Sequence, residues 1–238
     1  MASGPGIDIH LREKRFVADG EPLFGEFSLH IVPQSVTALV GPSGVGKSSL
    51  MRMIAGIDAG FDGEIMIDGV AARDAPTPGL VFQDARLLPW LTAFDNIRAV
   101  APHLPETEIL DLLRQVGLRE HVRAYPHELS GGMQRRVALA RALSVNARLL
   151  LLDEPFVSLD RTLVGEIQEL FSRIVAEGRP TVVLVTHFVE DAARLADRVV
   201  TLAGRPVTIS LDLALGIPRL QRSSSDRALF ARQIEAGL

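Results

Sequence analysis

The run of residues 41–48 has the residue types and spacing of a phosphate-binding loop. It consists of Gly41, Pro42, Ser43, Gly44, Val45, Gly46, Lys47 and Ser48, and Ser49 follows it. Glycines let backbone N–H groups turn toward phosphate oxygens, and the helix predicted after the loop offers its positive end to the same anion. Lys47 can then bind the β- and γ-phosphates, and the Ser48 hydroxyl can bind Mg²⁺. The alternative is a glycine-rich turn that happens to join a strand to a helix.

Two acidic residues, Asp153 and Glu154, follow the apolar run Leu149–Leu152. If that run is a buried parallel strand, the acids emerge at the carboxyl end of the sheet, where open α/β folds bind ligands. Asp153 is then placed to hold Mg²⁺, and Glu154 to orient or deprotonate an attacking water. The alternative is a pair of acids that cap a strand at a solvated loop.

A second anion site is predicted at Leu129–Gln134, where Ser130 is a natural N-cap and Gly131 and Gly132 let a ligand approach the backbone. A plain N-capped helix is the alternative. The segment resembles the LSGGQ signature of ATP-binding cassette (ABC) ATPases, with Met133 in the fifth place. The order of motifs along the chain is also that of ABC ATPases: phosphate loop, Gln83, signature, Asp153-Glu154, Ser158-Leu159-Asp160, and His187.

The resemblance implies roles for residues that spacing alone would not single out. Gln83 contacts Mg²⁺ and the water, Asp160 belongs to a loop that crosses a dimer interface, and His187 contacts the γ-phosphate. Phe16 is the candidate for the aromatic ring that stacks on adenine, with core packing as its alternative. Phe188 departs from the family pattern, because importers commonly have Asp after the histidine.

The elements that must position these residues form an α/β fold. Runs that are apolar on both faces predict parallel strands near 35–40, 79–82, 148–152, 180–186 and 198–202. Helical spacing lies between them, and alternating patterns at 7–12, 24–31 and 64–67 predict an antiparallel β subdomain. We expect one domain over 1–238, with a P-loop NTPase core of the ABC ATPase type and a helical subdomain inserted at about 84–147.

Composition excludes several classes of protein. The formal net charge of −4 gives no general attraction to nucleic acid, and none is expected as a partner. The absence of cysteine excludes disulfides and cysteine-ligated metals. The apolar runs are far shorter than the roughly 20 residues that span a bilayer, so any membrane role requires a partner.

The stretch Phe82–Thr92 resembles importers of nitrate, sulfonates and taurine, whose sequence here commonly reads FQ-acid-x-x-LLPWLT. That resemblance implies ATP and Mg²⁺ as cofactors, a separate transmembrane permease, and an extracytoplasmic solute-binding protein that acts indirectly. It also implies a peripheral position on the cytoplasmic face of the inner membrane. The rivals are a soluble ABC ATPase without a transport role and a P-loop small-molecule kinase, and the solute stays open.

Two further expectations concern partners. The phosphate loop and the signature lie at opposite ends of the helical insertion, so two chains, identical or paired, are expected to enclose two ATP molecules head to tail. Leu87–Leu91, just after Gln83, is a candidate docking surface for the permease. The alternative is that Leu87, Leu88 and Trp90 pack the helical subdomain.

Overall fold

The protein is described by a computed structural model that covers residues 4–17, 20–145, 147–157 and 161–238. In chain order the strands are β1 (Ile7–Glu13), β2 (Phe27–Ile31), β3 (Val36–Val40), β4 (Asp62–Ile67), β5 (Val70–Ala71), β6 (Gly79–Val81), β7 (Leu149–Asp153), β8 (Thr181–Val185), β9 (Arg198–Ala203) and β10 (Thr208–Ala214). The helices are α1 (Lys47–Ile54), α2 (Ala93–Arg98), α3 (Glu106–Gln115), α4 (Gly131–Ser144), α5 (Arg161–Gly178), α6 (Val189–Leu195) and α7 (Ser224–Glu235). The chain divides into two compact units. The first unit consists of Met1–Pro78, Arg148–Asp153 and Arg179–Leu238. The second unit consists of Gly79–Ala147 and Glu154–Gly178.

The first unit contains a mainly parallel sheet with strand order β10-β9-β3-β8-β7. Strands β7, β8, β3 and β9 run parallel, and β10 pairs with β9 in the antiparallel sense. Every residue of β3, β7 and β8 is buried. Continuous apolar strands of this kind are buried on both faces of a sheet, so the predicted parallel sheet is confirmed.

The same unit carries an antiparallel sheet with strand order β2-β1-β4-β5. Along β1, Ile7, Ile9 and Leu11 are buried while the residues between them are exposed. Side chains alternate between the two faces of a strand, so this pattern buries one face and leaves the other in solvent. The predicted antiparallel sheet is confirmed.

The second unit is mainly helical and holds β6, α2, α3, α4 and α5. Its core is a cluster of apolar side chains: Ala93, Phe94, Ile97, Ile109, Leu113, Val116, Leu118, Leu129, Val137, Ala140 and Leu170. The sequence places a helical insertion at about 84–147, and the second unit contains that range together with β6 and α5. Across the described residues, no helix combines the length and apolarity needed to cross a membrane.

Candidate functional site

The carboxyl ends of three parallel strands form one edge of the sheet in the first unit. Asp153, the last residue of β7, pairs in register with Val185 of β8, and Val185 pairs with Leu39 of β3. Adjacent strands lie about 4.8 Å apart, so the carboxyl ends of β7, β8 and β3 lie side by side. The start of the phosphate loop after β3, Asp153 at the end of β7 and His187 after β8 therefore lie at this edge, which is where α/β sheets bind ligands.

The phosphate loop has a backbone that side chains would obstruct. Gly41 has φ of 154°, and a Cβ there would lie 2.4 Å from the carbonyl oxygen of Leu202. Gly44 has φ of 79°, and no heavy atom lies within 4 Å of the position of its Cβ. Gly41 therefore permits the loop to pack closely against Leu202, and Gly44 leaves open space beside the loop for a ligand.

Lys47 is buried, with 6% of its surface exposed, at the first position of α1. Its Nζ atom donates hydrogen bonds to the carbonyl oxygens of Gly41, at 2.7 Å, and of Pro42, at 2.9 Å. The ammonium thus lies inside the curve of the loop. Ser48 and Ser49 follow it, both partly exposed.

The two acids after β7 differ in their surroundings. Asp153 is 5% exposed, whereas Glu154 is partly exposed and has φ of 50°, in the left-handed region. A non-glycine residue with this backbone stores strain of about 1–3 kcal/mol, and such residues cluster at functional sites. The sequence identified Glu154 as a candidate but gave no sign of its backbone conformation.

His187 is exposed after β8, and its ring lies against the ring of Phe188 with 4.0 Å between centroids. The Phe188 amide donates to the Thr186 hydroxyl at 3.0 Å. The Phe188 ring, which stands where the family commonly has aspartate, therefore packs directly against His187.

Phe16 is 66% exposed, so its ring does not pack in a core. Nearby Lys14 is only 5% exposed, and its Nζ atom binds both carboxylate oxygens of Asp58 at 2.7 Å and lies 5.5 Å from the Phe16 ring centroid. Burial alone would raise the pKa of Asp58, but hydrogen bonds from Lys14 and the Gly60 amide outweigh it and lower the pKa. Lys14 was not identified from the sequence, although a chain with only two lysines, one of them Lys47, draws attention to both.

In the second unit, Ser130 caps α4, and its Oγ atom accepts a hydrogen bond from the Met133 amide at 3.3 Å. No heavy atom lies within 4 Å of the Cβ position of Gly131, so the start of the helix is open. A cavity of about 480 Å³ lies beside it, lined by Gln83, Asp84, Ala85, Arg86, Leu87, Pro89, Pro126, Gly131, Gly132, Gln134 and Arg135. The signature and Gln83 therefore border one cavity.

The chain between Gln83 and α2 presents an exposed ring on a fixed backbone. Trp90 is 69% exposed, whereas Leu87 packs against the helical core. Asn96, which is buried, accepts a hydrogen bond from the Leu88 amide and donates to the carbonyls of Leu88, Leu91 and Thr92. Leu87 therefore packs the helical subdomain, which was the alternative to a docking role, whereas Trp90 does not.

Ser158, Leu159 and Asp160 lie outside the described residues. Among the described residues, no group of three or more His, Cys, Asp or Glu side chains is arranged to hold a metal ion. A Mg²⁺ ion at this site would therefore need hydroxyl, amide or phosphate oxygens in addition to the Asp153 carboxylate.

Comparison with known proteins gives a consistent result. Residues 24–157, more than half of the chain, match the ABC transporter family. The chain is 37% identical over 225 residues to the aliphatic sulfonates import ATP-binding protein SsuB 1 of Xanthomonas axonopodis pv. citri (strain 306), covering 91% of this chain and 88% of that protein. It is 35% identical over 237 residues to the corresponding protein of Bacillus subtilis (strain 168), covering 95% and 92%.

The fold of this chain is similar to those of solved ATP-binding cassettes. The dimeric ATP-binding cassette MJ0796, in a post-hydrolysis state bound to ADP and Pi, matches with a TM-score of 0.78 at 26% identity, covering 89% of this chain and all of that one. A second dimeric structure of MJ0796, a bacterial ABC transporter cassette, matches with a TM-score of 0.74 at 28% identity, covering 82% and 93%. The chain therefore belongs to the ABC transporter family and is one of its ATPase cassettes, as its motifs predict.

Proposed function

We propose that the chain is the ATP-hydrolysing motor of an importer that takes up aliphatic sulfonates through a separate transmembrane permease. The ATPase part rests on one observation. Asp153, Val185 and Leu39 lie in register on neighbouring strands, so the phosphate loop, an acid and His187 meet at one edge of the sheet. The names of relatives at 35–41% identity, such as the aliphatic sulfonates import ATP-binding proteins reported above, support the transport part.

ATP binds first through its phosphates. Residues 41–49 supply backbone N–H groups and the positive end of α1, and Lys47 exchanges its loop carbonyls for β- and γ-phosphate oxygens. Phe16 stacks on adenine, since its ring is exposed and Lys14 fixes the chain two residues away through Asp58.

Mg²⁺ fits the residues at this edge, because a serine hydroxyl and a buried carboxylate are the hard oxygen donors that this ion prefers. Ser48, Asp153 and Gln83 would hold it. When bound, the ion neutralises charge on the phosphate oxygens.

Hydrolysis requires a water in line with the γ-phosphorus. Glu154 accepts the proton of that water as the new P–O bond forms and the bond to ADP breaks. His187 donates a hydrogen bond to the γ-phosphate, and Gln83 orients the water.

The ATP site is completed by a second chain, either a copy of this one or a paired ABC subunit. Ser130, Gly131 and Gly132 of one chain contact the γ-phosphate of the ATP held by Lys47 of the other, and Asp160 lies at their interface. The open start of α4 and the dimeric structures similar to this chain support the arrangement.

A mixing experiment tests this head-to-tail arrangement. A Lys47→Ala homodimer lacks Lys47 at both of its sites, and a Ser130→Arg homodimer lacks Ser130 at both, yet a mixed dimer keeps one intact site. We expect ATP-dependent heterodimers from the mixture and none from either variant alone. No heterodimer under conditions where the wild type dimerises would exclude the arrangement.

The transport role places the chain peripherally on the cytoplasmic face of the inner membrane. A solute-binding protein outside the cytoplasm delivers the solute to the permease and contacts this chain only through it. Aliphatic sulfonates are favoured as solutes by the names of the relatives, with nitrate and taurine as the comparison solutes.

The test of function uses the chain together with candidate permeases from the same genome. We expect the chain to copurify with one of them, and proteoliposomes that contain both, with the solute-binding protein, to import aliphatic sulfonates in an ATP-dependent manner. Uptake of nitrate in place of sulfonates would correct the solute class, and uptake of taurine, itself a sulfonate, without other aliphatic sulfonates would narrow it. Failure to copurify with any permease, in a chain that hydrolyses ATP, would favour the rival function, a soluble ABC ATPase without a transport role.

A further inference from the structure

Two arginines of the signature helix α4 hold the chain that follows β6. The Arg135 Nε atom donates to the carbonyl oxygen of Gln83 at 3.3 Å. Arg141 donates to the carbonyls of Arg86, at 3.0 Å, and of Ala85, at 3.1 Å. Three carbonyls within residues 83–86 are thus bound by one helix, and that helix begins at the signature.

Arg141 serves as a structural anchor. Its guanidinium is partly removed from solvent, and this burial lowers the pKa of Arg141. A partly buried cation is stabilised by hydrogen-bond acceptors, and the carbonyls of Ala85 and Arg86 provide them. Arg86 itself has φ of 44°, and its guanidinium lies over the Phe82 ring at 4.1 Å. These contacts tie residues 85–86 to the signature helix α4.

Arg135 differs because its guanidinium also reaches a second segment. Its Nη1 atom donates to the carbonyl oxygen of Val157 at 2.9 Å. Val157 is the last described residue before Ser158, Leu159 and Asp160. A planar guanidinium that binds two carbonyls fixes the distance between them, which the single nitrogen of a lysine cannot do.

We propose that Arg135 is a positioning residue for ATP hydrolysis, which ties the backbone of Gln83 and of Val157 to the signature helix. Through this bridge the Gln83 side chain and Val157 keep their places relative to the signature helix. The inference rests on the proposed ATPase function, because Gln83 is assigned to the attacking water only there. Residues that orient a reactant affect the rate more than the affinity.

The alternative is that Arg135 only satisfies two carbonyls and stabilises the fold. Arg136 provides a matched control, since it lies on the same helix and donates to the carbonyls of Val116, at 3.0 Å, and Gly117, at 3.1 Å. Those carbonyls lie at the end of α3, away from Gln83 and Val157 in sequence. A purely structural arginine should behave alike at the two positions.

The experiment compares Arg135→Gln, Arg135→Lys and Arg136→Lys in the full chain by steady-state ATP hydrolysis and by hydrogen exchange with mass spectrometry. We expect Arg135→Gln to lower kcat on the order of tenfold to a hundredfold while KM for ATP stays within about twofold of wild type. Arg135→Lys should show a smaller loss of kcat in the same direction, and Arg136→Lys a normal kcat. Exchange should rise in the peptides that cover 83–88 and 154–157 for the Arg135 variants alone.

Three outcomes would overturn the proposal. One is a normal kcat in Arg135→Gln, and another is an equal loss of kcat in Arg136→Lys. The third is unchanged exchange at 83–88 and 154–157 in both Arg135 variants. If Arg135→Gln does not fold, the same criteria apply to Arg135→Lys. If the wild type hydrolyses no ATP, the proposed function fails, and the exchange comparison alone supports or overturns the bridge.

Discussion

The Nζ atom of Lys47 lies 2.7 Å from the carbonyl oxygen of Gly41, six residues earlier in the chain, and donates a hydrogen bond to it. The contact closes the phosphate loop around its own lysine. The ammonium is therefore already desolvated and oriented before a phosphate arrives, and binding exchanges neutral carbonyl acceptors for charged phosphate oxygens. Hydrogen bonds to charged groups contribute about 1.5–3 kcal/mol each, so the exchange favours the nucleotide.

Lys47→Ala should lose this contribution and weaken ATP binding by about tenfold to a hundredfold or more. Titration calorimetry on the isolated chain measures the affinity directly. A circular dichroism spectrum like that of wild type shows that the fold is kept, since the side chain is buried. Unchanged affinity in a folded variant would mean that Lys47 serves only to close the loop.

Glu154→Gln should separate binding from turnover. The substitution keeps the size of the side chain and removes the group that accepts a proton, so hydrolysis should fall by roughly 100-fold to 10,000-fold while affinity for ATP is retained. The ATP-bound dimer should then accumulate and appear on size-exclusion chromatography with ATP but not with ADP. Near-normal hydrolysis would remove Glu154 from the role of general base.

The sequence predicts the elements that carry strong local patterns. Strands β3, β7 and β8 are continuous apolar runs, and α4 starts at an N-cap serine, so their bounds could be set to within one or two residues. Strand β10 was not predicted, although Ile209, Leu211 and Leu213 alternate with more exposed residues along this edge strand. Its stability comes from pairing with β9, a contact that local spacing does not reveal.

The features of the candidate site also fall into two groups, those that a local motif predicts and those that depend on tertiary packing. Lys47, Asp153 and Glu154 follow from motifs because their chemistry needs particular residues at particular spacings. The left-handed backbone of Glu154 and the bridge from Arg135 to Gln83 and Val157 depend on how distant segments pack. A single sequence has no local signal for either.

Stability should depend on pH through Asp212, whose carboxylate binds the Arg198 guanidinium at 2.6 Å between β10 and β9. The hydrogen bond from Arg198 lowers the pKa of Asp212 below its ordinary value of 3.8. A carboxylate with a depressed folded-state pKa stabilises the fold above the unfolded-state pKa, and this contribution is lost as the pH falls through the folded-state value. Asp212→Asn should therefore lower the thermal midpoint at neutral pH, and the difference from wild type should shrink at pH below 3.8.

Thermal melts from neutral to acidic pH measure this difference. Asp74→Asn is the control, because Asp74 and its partner Arg73 are 63% and 75% exposed and such pairs contribute little. Equal effects of the two substitutions at neutral pH, or a difference that does not change with pH, would contradict the prediction.

Trp90, the only tryptophan of the chain, is a fluorescent probe for the predicted permease docking. The ring is 69% exposed, and Asn96 fixes the backbone on either side of it through the carbonyls of Leu88 and Leu91. An exposed aromatic ring on a fixed backbone loses little entropy on binding, which is typical of interface hot spots. In the isolated chain we expect red-shifted emission that acrylamide quenches readily, and the permease in detergent should shift the emission to the blue and protect it.

Trp90→Ala should weaken complex formation by about 2 kcal/mol or more and leave ATP binding by the isolated chain nearly unchanged. Leu229→Ala is the matched control, since Leu229 is an exposed apolar residue, 54% accessible, on α7. Asn96→Ala should weaken docking while Trp90 is still present, because the stretch then loses its fixed backbone. If the permease leaves the emission and quenching of Trp90 unchanged although the complex forms, the docking surface lies elsewhere on the chain.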